Sequence, residues 1–303
     1  MILAQRHSER TNIMYISTLP EKIEQIIKER KQQFQQDLTD NATNQYVAQD
    51  AHLLTDTVIT LALCKNILLK GPTGSGKTKL SESLAAYFGQ PVHSINCSVD
   101  LDAEAMLGFK TIIEIDGKSR IDFVEGPVIQ AMKKGHLLYI DEINMAKPET
   151  LPILNGVLDY RRQITNPFTG EVVKAKPTFS VIAAVNEGYA GTAPLNEALK
   201  NRFVTFKIPY ISGDALFSVL KQESILQDER LIHQFVSLSA DLTTLVESGR
   251  LPEEASSIRA LVDACDLALY IPPMRAIESA IAGKLDDERE QAAVRNVAET
   301  WFA

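Results

Sequence analysis

The residues best able to do chemistry begin at Gly71. Gly71-Pro72-Thr73-Gly74-Ser75-Gly76-Lys77-Thr78 fits the pattern G-x-x-x-x-G-K-[ST], follows the apolar run Asn66-Ile67-Leu68-Leu69-Lys70, and opens the helix-patterned stretch Leu80–Phe88. Glycines are needed there because backbone N–H groups must turn inward around a triphosphate, and side chains would block it. Lys77 would neutralise the β- and γ-phosphates, Thr78 would bind Mg²⁺ through its hydroxyl, and the helix N-terminus adds favourable partial charge. The alternative, a plain glycine-rich turn, does not account for the strand-loop-helix setting.

Two further groups belong with this loop. His136-Leu137-Leu138-Tyr139-Ile140 is an apolar strand ending in the adjacent carboxylates Asp141 and Glu142. Asp141 can hold Mg²⁺ directly or through water, and Glu142 is placed to polarise the water that attacks the γ-phosphorus. Alone, such a pair would be a solvated strand end. Asn186 follows the strand-like Phe179–Val185 and emerges on the same edge, where an amide can orient the attacking water or touch the γ-phosphate. Asn is also a common loop residue.

Elements that position these groups can be read from the surrounding pattern. Asn66–Lys70, Val92–Asn96, His136–Ile140, Thr178–Val185 and Phe203–Ile208 are short apolar runs alternating with helical stretches, which suits a doubly wound parallel sheet covered on both faces. After Pro209 apolar residues recur at helical spacing through Leu216–Leu226, Leu231–Glu247, Ser256–Tyr270, Pro273–Ala282 and Glu288–Trp301, a small all-α domain. The expected organisation is an N-terminal helical extension over 1–50, an α/β domain over 51–209 and a helical domain over 210–303. In the extension, Ile23, Ile27, Phe34 and Leu38 form one thin stripe after Pro20-Glu21, which suits a helix packed on the domain surface or a partner-binding arm. Two hairpins interrupt the α/β domain. Thr111–Ile115 and Arg120–Val124 flank Asp116-Gly117, a primed-turn pair; Arg162–Thr165 and Glu171–Ala175 flank Asn166–Gly170. Each could be an ordinary excursion or a functional loop.

Composition narrows the classes. The 303 residues, 45% of them apolar, can fill a proper core, and no stretch approaches the roughly 18 consecutive apolar residues of a membrane span. With no apolar signal-peptide core at the N-terminus, a cytoplasmic protein is the default expectation. Cys64, Cys97 and Cys265 lack disulfide or zinc spacing and read as small core residues. A net charge of −8 makes a broad phosphate-neutralising surface, and so a nucleic-acid partner, the minority reading.

The phosphate loop, Asp141-Glu142-Ile143-Asn144, the strand end Ala183-Ala184-Val185-Asn186 and Leu195-Asn196-Glu197-Ala198-Leu199-Lys200-Asn201-Arg202-Phe203, taken in order, resemble AAA+ ATPases of the MoxR type. The closer likeness is to the NirQ, NorQ, CbbQ and GvpN branch, over about residues 50 to 285. The resemblance implies an ATPase that uses ATP and Mg²⁺ and works as a homo-oligomeric ring, habitually of six. Asn186 would be its first sensor, Arg202 the arginine finger reaching the neighbouring subunit's nucleotide, and Arg259, in Ser256-Ser257-Ile258-Arg259-Ala260, the second sensor on the lid. In bare physics Arg202 could only pair with a carboxylate, and Arg259 could be a solvated helix residue. The hairpins fall where the family carries insertions that contact substrate. Arg161 and Arg162, beside the second, are interface candidates with neither singled out.

Members of the family it resembles commonly act with a von Willebrand factor A domain partner, often to mature or activate a metalloenzyme or assemble a complex. Many have Arg-Ala after Asp-Glu-Ile-Asn, whereas this chain has Met145-Ala146. The rival expectations are a nucleic-acid-directed AAA+ NTPase resembling a restriction motor, and a nucleotide switch that performs no work. Glu142 speaks against the switch, which has no use for a water-polarising carboxylate.

Overall fold

The computed structural model describes residues 19–37, 46–47, 50–97, 101–115, 118–147, 149–186, 195 and 197–302. Five parallel strands form its central sheet: β1 (Ile67–Gly71), β2 (Val92–Asn96), β5 (Leu137–Asp141), β8 (Ser180–Asn186) and β9 (Val204–Lys207), in the order β2-β5-β8-β1-β9. These are the five runs expected from sequence, with ends displaced by a residue or two.

The period of two along each strand sorts the core into two layers. Leu68, Leu138, Ile140, Val181, Ala183 and Val185 face one way, onto Val128, Ile129 and Met132 of α5 (Pro127–Lys134) and Leu154 and Val157 of α6 (Leu151–Leu158). Ile67, Leu69, Leu137, Tyr139, Ile182 and Ala184 face the other. They meet Leu54, Val58 and Leu61 of α2 (Ala51–Ala62) and Leu80, Leu84 and Phe88 of α3 (Lys77–Phe88). Burial on both faces is why the central strands β1, β5 and β8 read as near-continuous apolar runs, while the edge strands β2 and β9 stay largely exposed. Helix α1 (Glu21–Gln33) lays Ile23 and Ile27 into the second layer, while Phe34, just past its end, meets His136 edge to face. Leu38 lies outside the described residues.

Asn66 ties this sheet together at its N-terminal end. Its buried amide donates to the carbonyls of Leu158 (3.4 Å) and Arg202 (3.3 Å) and accepts from the Val181 N–H (3.2 Å). At the same end His93 and His136 stack, with ring nitrogens 3.0 Å apart. Cys97 and Cys265 are buried; Cys64 is partly exposed and accepts from Arg30 Nη2 at 2.8 Å.

After Cys97 a short helix α4 (Ala103–Leu107) leads into the first hairpin, β3 (Gly108–Ile115) against β4 (Lys118–Glu125), which is longer at its base than the alternation suggested. Its turn, Asp116-Gly117, lies outside the described residues. The second hairpin pairs β6 (Gln163–Thr165) with β7 (Val172–Lys174). Lys133 on α5 reaches both, at 2.6 Å from Glu125 at the base of β4 and 2.8 Å from Glu171 before β7.

Short α7 (Glu197–Lys200) precedes β9. The lid then follows as α8 (Gly213–Glu223), α9 (Glu229–Glu247), α10 (Ile258–Leu267), α11 (Pro273–Ala280) and α12 (Glu288–Phe302) around Leu220, Phe235, Leu238, Leu261, Ile277 and Val294. The helix expected from Ser256 begins later, at Ile258, because Ser256 ends a separate 3-10 turn, Glu253–Ser256.

Candidate active site

Register brings the chemical residues to one edge. In the parallel ladders Gly71 pairs with Asn186 and Ile140 with Ala183, so the loop after β1 and the ends of β5 and β8 open on one edge, with Asp141 level with Ala184 and therefore set back from Asn186. This is the C-terminal edge of an open α/β sheet, where ligands bind.

The loop itself is built for close approach. A Cβ on Gly71 would stand 2.2 Å from the Ile208 carbonyl oxygen, so the strand can pass β9 only as glycine. Gly76 caps α3 at φ 86°, a conformation that glycine adopts without strain. Thr73 Oγ1 is buried with no hydrogen-bond partner. Lys77 is buried and folds back, its Nζ donating to the carbonyls of Pro72 (2.6 Å) and Gly71 (2.9 Å) and lying 3.4 Å from Ser75 Oγ. Burial pushes its pKa down to about 8, and the nearby carboxylates of Asp141 and Glu253 only partly offset this. A glycine-rich loop at a helix N-terminus with a buried lysine suits a polyphosphate.

Thr78, the second residue of α3, holds its hydroxyl 3.0 Å from that of Tyr139. Asp141 closes β5, and its Oδ1 accepts the Glu142 N–H at 3.1 Å. Glu142 sits at φ 51°, ψ 42°, a left-handed conformation costing a non-glycine residue about 1–2 kcal/mol. That bend brings its Oε1 within 3.2 Å of Asn186 Nδ2, which donates to it. Thr78 and Asp141 offer hard oxygen donors of the kind Mg²⁺ takes from a protein while phosphate and water complete its shell. Among the described residues no cluster of three or more His, Cys, Asp or Glu could hold a metal ion by itself.

The lid leans over the loop. The Thr73 N–H points to Glu253 Oε2 at 3.4 Å, and a Cβ on Gly74 would lie 3.1 Å from Ser257 Oγ. Exposed Arg259, in the first turn of α10, lies near enough for its charge to act on Lys77.

Of the residues singled out from sequence, the loop Gly71–Thr78, Asp141, Glu142 and Asn186 therefore converge, with Arg259 above them. Arg202 does not join them. It precedes β9 by two residues, with its guanidinium on the Ala198 carbonyl, and lies six residues before Ile208, roughly 20 Å along an extended chain from its own phosphate loop. Arg162 is used internally, on the carbonyls of Phe179 (2.7 Å) and Cys64. Arg161 is exposed and pairs with Asp159 at 2.9 Å. Sequence reading passed over Tyr139 and Glu253. Tyr139 was legible as the only hydroxyl in an apolar strand, two residues before Asp141 and so on the same face.

Comparison with known proteins agrees with this geometry. Residues 66–203 match the AAA domain of the dynein-related subfamily, and residues 217–301 match the CbbQ/NirQ/NorQ C-terminal family. The uncharacterised Bacillus subtilis protein YojN is 62% identical over 290 residues, 94% of each chain. The chain belongs to the MoxR-like AAA+ ATPases. Another similar protein, the uncharacterised SH1500 of Staphylococcus haemolyticus, is 60% identical over 86% of this chain and 99% of its own. The crystal structure of a candidate ATPase from Cytophaga hutchinsonii shares the fold, with TM-score 0.50 at 19% identity, over 90% of this chain and 86% of that one. A sheet in AAA+ order followed by a helical lid is thus the family architecture, and its AAA domain implies nucleotide binding. Among the described residues no helix is long and apolar enough to cross a membrane.

Proposed function

We propose that this MoxR-like AAA+ protein hydrolyses ATP as one subunit of a homo-oligomeric ring, of six in the family habit, and uses the cycle to remodel or activate a partner protein. The observation that carries the catalytic reading is the 3.2 Å hydrogen bond from Asn186 to Glu142 beside the phosphate loop. In this reading the bond steadies a carboxylate beside an attacking water and leaves the other Glu142 oxygen to accept the water's proton.

The remaining residues divide the work of positioning and neutralisation. Lys77 leaves the Gly71 and Pro72 carbonyls for the β- and γ-phosphates. Loop N–H groups from Thr73 to Thr78 cradle the chain of phosphates. Thr78 and Asp141 would hold Mg²⁺, which when bound neutralises charge on the phosphate oxygens. Arg259 approaches from the lid. Arg202, remote from its own loop, suits delivery to the site of an adjacent subunit.

The two hairpins expose apolar side chains, among them Phe109, Ile112, Ile121, Val124 and Val172, which supports contact with a protein client. A von Willebrand factor A domain partner is the family expectation for the adaptor, and the acidic chain favours protein over nucleic acid.

Subunit complementation tests the reading. Lys77→Ala and Arg202→Ala proteins should each be inactive alone, and the Arg202→Ala protein should lose roughly 10³- to 10⁵-fold in turnover while still binding ATP. Mixed together they should recover part of the activity, because interfaces joining an intact loop to an intact Arg202 form again. No recovery on mixing, from subunits that do co-assemble, would count against the shared site.

A further inference from the structure

The side chain between the two candidate magnesium ligands is a buried tyrosine. Tyr139 Oη lies 3.0 Å from Thr78 Oγ1 and close enough to the Asp141 carboxylate for that charge to act on it. Tyr139 and Asp141 are two residues apart on β5, so both project to the face that α3 covers, which brings Thr78 to them. Only 3% of Tyr139 is exposed, packed in the layer that includes Leu80, Leu84 and Ile182. Its hydroxyl therefore has these protein groups, not bulk water, as partners.

Proton accounting gives the chain a direction. Either hydroxyl can donate in the Thr78–Tyr139 bond. A Thr78 that gives its lone pairs to a cation has only its proton left for Tyr139, so in that state the Thr78 O–H donates to the Tyr139 oxygen. The Tyr139 O–H is then left to turn toward the Asp141 carboxylate, whose charge acts on it. Asp141 Oδ1 is further held by the Glu142 N–H at 3.1 Å. Thr78 then turns its proton toward the sheet and its lone pairs toward the phosphate loop, the orientation in which a hydroxyl can ligate a cation.

We propose that Tyr139 is a positioning residue that orders Thr78 and Asp141 as a pair of Mg²⁺ ligands without touching the ion. This rests on the reading that the loop binds ATP with Mg²⁺.

The test is equilibrium binding of a fluorescent ATP analogue, first in EDTA and then across a Mg²⁺ titration. Tyr139→Phe removes one hydroxyl and keeps the ring. Affinity in EDTA should stay within twofold of the parent protein, while the Mg²⁺ concentration at half effect should rise about five- to tenfold, as expected for a lost hydrogen bond. In a Thr78→Ala background the same substitution should shift the midpoint less, since part of its effect passes through Thr78. A midpoint within twofold of the parent overturns the proposal, as does an undiminished shift in the Thr78→Ala background. Should Tyr139→Phe fail to melt cooperatively, Tyr139→Met supplies the same comparison with a side chain that adapts to irregular space. If the parent protein binds no nucleotide with or without Mg²⁺, the ATP reading itself falls. Mg²⁺-tightened binding that is equal in parent and variant removes Tyr139 alone.

Discussion

Gly71 and Asn186 end adjacent parallel strands as register partners. One begins the loop that surrounds the phosphates, and the other holds Glu142 at 3.2 Å. The pair proposed to activate water is therefore referenced to the proposed phosphate cradle through a strand ladder rather than through flexible side chains. Asn186→Ala should bind ATP with unchanged affinity and lose roughly 10²-fold in kcat. Steady-state turnover beside nucleotide affinity decides this, and a kcat within twofold of the parent protein removes Asn186 from the water-positioning role.

Lys77 makes nucleotide affinity depend on pH. Its pKa of about 8 in the free protein is set by burial, and a bound polyphosphate would raise it. Binding then takes up a proton above pH 8. Affinity should be flat below about pH 8 and weaken up to tenfold per unit above it. Lys77→Arg should bind more weakly overall but without that slope, because a guanidinium stays charged. A parent protein with level affinity from pH 7 to 9.5 would contradict the assignment.

Asn66 predicts a linked loss of stability and geometry. Asn66→Ala leaves the Val181 N–H without its side-chain acceptor and the Leu158 and Arg202 carbonyls without its amide. The cost should be roughly 1–3 kcal/mol, visible as a lower denaturant midpoint. Turnover at temperatures where the protein remains folded should also fall, because the segment carrying Arg202 loses its tether. Full stability in the variant would show that these contacts are dispensable.

His93 and His136 predict acid sensitivity. Burial holds the pKa of His93 down to about 4, with the neighbouring His136 adding to the effect, and it lowers His136 as well. In the unfolded chain both return to about 6.5. As pH falls through 6.5 the unfolded state gains protons that the folded state refuses, so stability is intact above 6.5 and declines toward pH 4. Thermal melting across that window should show the decline, and His93→Gln should flatten it. An equal decline in the variant would place the acid-sensitive group elsewhere.

Much of the fold was legible because chemistry and burial left separate signatures. Sheet strands buried on both faces stand out as apolar runs, and the lid helices keep their 3.6-residue period. What slipped was of another kind. Gly71, Asp141 and Asn186 belong to the ladders although none is apolar, because backbone pairing is indifferent to side chains. The first hairpin runs from Gly108 to Glu125, longer than expected, because with both faces largely exposed its ends carry no alternation. Glu253 was invisible as a site residue because only the lid's approach brings it to Thr73. Arg162 looked like Arg161 in sequence, yet the backbone turns at φ 47° there and sends its guanidinium inward.

Lys133 carries a consequence for how force would travel. Both protruding ribbons are moored to this one ammonium, through Glu125 and Glu171. A displacement of either ribbon would therefore bear on the other through α5 rather than through the central sheet. Neutralising that side chain, as acetylation would, removes the ionic link and leaves the ribbons joined only through α5, which follows β4 directly and accepts the Lys176 N–H on its Met132 carbonyl.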